Sequence, residues 1–174
     1  MNLKKRISIG FLALLLFTIT VLTGCGSDNM RPEKELKTFA EIIEKGNLDN
    51  LSLTIYYIDP TILTRYPLSV DNLMNYSGVN KIVIEGKDLE EHISVFKNVT
   101  NTALQSVREK SYIDARIYYV FETEESRTVF DVIMWGANNS MFIDGLEIKE
   151  TDAFCDVMIP FLPEEITAHI NNVK

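Results

Sequence analysis

The chain has 174 residues, with 17 basic against 25 acidic side chains and a net charge of −8 at neutral pH. That is enough for one domain with a true core. The acidic excess disfavours nucleic acid and anionic lipid headgroups and favours basic partners or cations.

Taken in order, the chain begins with a charged cap, Lys4, Lys5 and Arg6, followed by Ile7 to Leu22 without a charge. As a helix, sixteen residues rise about 24 Å at ~1.5 Å each, short of the ~30 Å hydrocarbon core of a bilayer. Positive end, apolar run and the small pair Thr23-Gly24 before Cys25 have the zones of an export signal. The stretch Leu22-Thr23-Gly24-Cys25 resembles the signal of bacterial lipoproteins. That resemblance covers only the first 25 residues. It implies cleavage before Cys25, a diacylglyceryl group on its sulfur, and anchoring on the extracytoplasmic face of the cell membrane. The alternative is an uncleaved single-pass anchor, which leaves the domain on the same side. The size and composition of the remainder are similar to small lipoproteins of uncharacterised function from low-GC Gram-positive bacteria.

The expected organisation is therefore a signal peptide over 1–24, a tether over 25–31, and one domain over 32–174. The leader holds three of the basic residues and none of the acidic ones. What remains is fourteen basic against twenty-five acidic, a net charge of −11. With Cys25 assigned to lipid, Cys155 stands alone in an apolar run. No intrachain disulfide is available, and a buried inert thiol is expected.

Pro32 suits a first helical turn. Leu36, Phe39, Ile42 and Ile43 recur at helical spacing, with Gly46 as the stop. Leu51 to Ile58 reads as a strand and Asp59-Pro60 breaks it. A connection follows, with a short helix capped by Ser69, and Lys81 to Glu85 forms a second strand. Asp88-Leu-Glu-Glu91 approximates a capping box, which predicts one amphipathic helix from 88 to about 104. His92 on that helix reads as a solvated surface histidine, since no second His or Cys stands at ligand spacing.

Residues 115–122 and 127–135 predict two strands whose faces are both largely apolar. One face of an antiparallel pair normally meets water, so something must cover the second. The first helix is the candidate, with a partner protein as the alternative. Met141 to Ile143 and Leu146 to Ile148 flank Asp144-Gly145, a strong two-residue hairpin signal. Asp152 is expected to cap a helix through Met158 that Pro160 interrupts. Pro163-Glu164-Glu165 then opens the last helix.

The expected fold is α+β, a four- or five-stranded mainly antiparallel sheet with helices packed on it. No nucleophile elbow, metal-ligand spacing or nucleotide loop is present, so no catalytic residue, metal or cofactor is assigned. Seven aromatic residues with polar tips (Tyr56, Tyr57, Tyr66, Tyr112, Tyr118, Tyr119 and Trp135) are hard to bury together. Tyr57, Tyr66, Tyr118 and Trp135 are the candidate interaction surface, for a protein or peptide partner, with a basic one suiting the charge. The leading functional expectation is a membrane-anchored binding or accessory module. The second is a cell-envelope hydrolase using acidic residues, which requires a deep pocket lined by acids of shifted pKa.

Overall fold

The computed structural model of the chain describes residues 31–46, 48–107, 110–134 and 140–173. The first helix, α1 (Arg31–Lys45), ends at Gly46, whose φ of +65° suits a residue without a Cβ. Strand β1 (Leu51–Tyr57) follows, then α2 (Val70–Met74), β2 (Asn80–Glu85), α3 (Lys87–Glu90) and α4 (Ile93–Thr100). Strands β3 (Ile117–Thr123), β4 (Thr128–Met134), β5 (Met141–Ile143) and β6 (Leu146–Ile148) form a run of hairpins, and α5 (Asp152–Asp156) and α6 (Glu164–Val173) close the domain.

Among the described residues all strand pairings are antiparallel, and the order is β2-β1-β3-β4-β5-β6. The fold is α+β as expected, but the sheet of the described residues has six strands rather than four or five. The extra member comes from the last hairpin. Asp144 and Gly145 both take positive φ, 48° and 76°, the twist-matched geometry that lets even three-residue strands pair.

The principal core lies on one face of the sheet. Alternation sends Leu53, Ile55, Ile117, Tyr119, Phe121, Phe130 and Val132 to that side. There they meet Leu36, Phe39 and Ile43 of α1, Phe96 and Val99 of α4, and Phe154, Met158, Ile166 and Ile170 of the C-terminal segment. Phe39 is fully buried, with its ring 4.6 Å from Phe121, 4.8 Å from Phe130 and 6.2 Å from Phe96. Edge-on and tilted aromatic contacts of this kind add to the area buried.

The first helix thus lies with α4 on the principal face and does not cover the second one. That face is covered by the connection between β1 and β2. Leu68, Val70, Leu73, Tyr76 and Val79 pack there against Ile58, Tyr118, Ile133 and Phe142.

The predicted 88–104 helix is two pieces. Asp88 makes no capping box; Gly86 occupies the N-cap position of α3, and Leu89 N–H donates to its carbonyl at 3.1 Å. The chain turns at 91–92 and α4 ends at Thr100. There the Thr100 hydroxyl and Asn101 amide both bond the Lys97 carbonyl, and Thr102 bonds that of Asn98. Such local side-chain bonds compete with helix propagation. Thr151, not Asp152, caps α5, accepting from Ala153 N–H at 3.3 Å.

Candidate interaction surface

The connection between β1 and β2 starts at a small turn. Thr61 donates from both its backbone N–H (2.8 Å) and its hydroxyl (2.6 Å) to Asp59 Oδ1. These bonds hold the Asp59 carboxyl below its ordinary pKa. Residues 63–67 then form an outer loop before Ser69 caps α2 by accepting from Asn72 N–H at 3.2 Å.

Two residues at the start of β3 bind the loop to the sheet. Arg116, buried, donates from Nη2 to Asp114 Oδ2 at 3.0 Å and to Thr64 Oγ1 at 2.9 Å. The other oxygen of Asp114 accepts from Leu68 N–H at 2.9 Å, and Ala115 N–H donates to the Leu68 carbonyl at 2.8 Å. Thr64 in turn donates to the Tyr66 carbonyl at 2.8 Å. A relay from Arg116 through Thr64 therefore fixes the backbone at Tyr66.

On this fixed loop Leu63 is 96% exposed and Tyr66 67% exposed. Arg65 lies over the Tyr66 ring at 5.3 Å from its centroid. Together with Pro67 and Tyr76 they line an open depression of about 280 Å³. Large apolar side chains held in water by a braced loop suit contact with another molecule.

The structure divides the aromatic set named from sequence. Tyr66 is on the loop and exposed. Tyr118 is half-buried on the second face, its hydroxyl 3.4 Å from Asp131 Oδ2 and its ring 6.1 Å from Tyr56. Burial and the neighbouring Asp131 carboxylate push its phenol well above the usual value. Tyr57 is 7% exposed and points into the principal core, which leaves little of it for a partner. Trp135 and Cys25 lie outside the described residues. Among the remaining tyrosines, Tyr119 is fully buried with its hydroxyl donating to the Phe154 carbonyl at 3.0 Å, and Tyr112 is exposed. Leu63 was not singled out from sequence; its neighbours offer no periodicity, and exposure of one leucine in a loop has no signal in a single chain.

His92 is half-buried, with its ring edge-on to Phe161 at 4.7 Å. Among the described residues no group of three or more His, Cys, Asp or Glu is placed to hold a metal ion, and no helix is long and apolar enough to cross a membrane.

Two acidic groupings bear on carboxylate chemistry. At the opposite end of β1, Asp49, Glu85, Glu122 and Glu124 line an open groove of about 240 Å³. Separately, Asp144 at the tip of the last hairpin is hydrogen-bonded, side chain to side chain, with Glu35 of α1. Its Oδ1 accepts from Asp131 N–H at 3.2 Å, and its own N–H donates to the Asp131 carbonyl at 3.2 Å. Burial, then the Glu35 carboxyl, raise the Asp144 pKa to about 8. Neither Glu35, Asp131 nor Asp144 lines the loop depression or the acidic groove. The raised acid joins α1 to the hairpin, apart from both of these openings.

No family model, curated protein or solved structure matches the chain.

Proposed function

We propose that the protein is a lipid-anchored extracytoplasmic binding module that presents the 63–67 loop to a protein or peptide partner. The observation that carries this reading is the combination of near-complete exposure at Leu63 with backbone bracing through Arg116 and Thr64. A loop exposing apolar side chains only through looseness would not need a buried arginine to hold it. The anchor rests on Leu22-Thr23-Gly24-Cys25 and the charged apolar leader. Two acyl chains on Cys25 would keep the domain at the membrane, because each buried CH₂ contributes about 0.8 kcal/mol. The sheet domain then needs no apolar patch for membrane attachment, and the loop is left for recognition.

The test has two arms. Cells fed an alkyne-bearing palmitate analogue should label the wild-type chain, and Cys25→Ser should abolish labelling and release the protein from membranes. A photo-crosslinking residue at position 66 should capture one discrete partner band, and Leu63→Asp should remove it while leaving the melting temperature within about 1 °C, as expected for a surface change. Labelling that survives Cys25→Ser would refute the anchor. A crosslink unaffected by Leu63→Asp would refute the loop.

A further inference from the structure

Below the C-terminal helices the principal core contains a cavity with an unusual donor set. Met134 and Met141 are direct cross-strand partners on β4 and β5. Cys155 and Met158 are one turn apart, with Met158 N–H donating to the Cys155 carbonyl at 3.2 Å. All four line one cavity of about 10 Å³, which Ser140, Glu150 and Ile170 complete. Three of the four methionines among the described residues, and their single cysteine, thus surround the same space. All four side chains are at most 4% exposed.

Ser140 supplies the independent sign that something belongs there. It is 8% exposed, and its Oγ has no hydrogen-bond partner among the described residues. A buried hydroxyl left unmatched costs about 1–3 kcal/mol. The volume corresponds to about one water-sized occupant. Beside the Ser140 hydroxyl and the Glu150 carboxyl at its edge, the donors of this lining are four sulfurs. Thioethers and a thiol are poor ligands for hard cations and strong ones for soft monovalent metal.

We propose that this cavity binds one copper(I) ion through Cys155, Met134, Met141 and Met158. The Cys155 thiol loses its proton to solvent as the copper–sulfur bond forms. The buried unit of one thiolate and one Cu⁺ is then neutral, which a low-dielectric interior favours. No electron is transferred, since the metal enters as copper(I). Glu150, exposed at the edge of the cavity, attracts a cation toward the opening. The inference is independent of the loop surface above, because the two sites share no residue.

The full chain carrying Cys25→Ser, kept anaerobic, is titrated with copper(I) in competition with bicinchoninate. The expected result is one equivalent retained, a near-ultraviolet thiolate-to-copper absorption band, and release of one proton per metal. Silver(I) should raise the melting temperature in the same stoichiometry by mass action. Cys155→Ser should lose the band. Met141→Leu with Met158→Leu, which conserves volume and keeps the fold, should weaken retention by more than the ~10–100-fold seen when only an outer partner of a metal is lost. Failure of the folded chain to hold copper(I) against bicinchoninate would overturn the proposal. So would wild-type affinity in the double methionine variant, which would reduce the site to a bare thiol.

Discussion

Asp144 shows how one side chain can be required by geometry and disfavoured by charge. Its positive φ and its bonds to the Asp131 backbone place it at the hairpin tip, where Asp and Asn are the side chains that tolerate such backbone. Burial, and then the neighbouring Glu35 carboxyl, raise its pKa from 3.8 to about 8. The folded state holds the Asp144 proton more tightly than the unfolded chain does. The associated stability is therefore complete below pH 3.8 and is lost as pH rises toward about 8. Asp144→Asn keeps the acceptor oxygen and the turn, and gives Glu35 an amide donor. Thermal melts should show it more stable than wild type at pH 8, by about 2–4 °C, with the difference vanishing near pH 4. A wild-type melt independent of pH over that range would contradict the raised Asp144 pKa.

Among the elements, the β1–β2 connection was the hardest to read and is the one with the most consequence. From sequence it reads as a connection with a Ser69-capped helix, and that cap is present. Its position over the second sheet face was not legible. The residues that hold it there, Asp114 and Arg116, lie about fifty positions away, and no local pattern marks a long-range ion pair. The first helix had the opposite history. Leu36, Phe39 and Ile43 marked its buried stripe, but a stripe does not say which face of a sheet it meets. Arg116→Ala should leave Asp114 half-buried without its cation. The expected cost is about 2 kcal/mol, below that of a fully buried pair because Asp114 is partly exposed. Amide exchange should rise in residues 62–68 before it rises in the strands. Uniform acceleration across the sheet would show that the pair does not act locally. The break in the 88–104 helix is not legible in sequence because apolar spacing continues past Thr100, while the hydroxyl and amide side chains that end the helix act one by one.

At the scale of the molecule, one antiparallel sheet separates a large core from a small one. The strands were visible in β-branched and aromatic runs, and the apolar character of both faces of β3 and β4 showed that neither could be left to water. Burial of Tyr57 against exposure of Tyr66 was not readable, because both follow from how distant segments stack. Phe39 touches three other phenylalanines of the principal core, so Phe39→Ala should cost about 3–5 kcal/mol. Unfolding in urea, followed by fluorescence and circular dichroism, should keep a single transition. Two separated transitions would show that the cores on opposite sides melt independently. The placement of α1 also determines how the domain answers mechanical load. It precedes every strand and is joined to them through Leu36, Phe39 and Ile43 rather than through a ladder of hydrogen bonds. A pull applied ahead of Arg31 would peel that helix away first and spare the strand ladder any tension. When slack returned, the helix could reseat without a single strand having to recover its register.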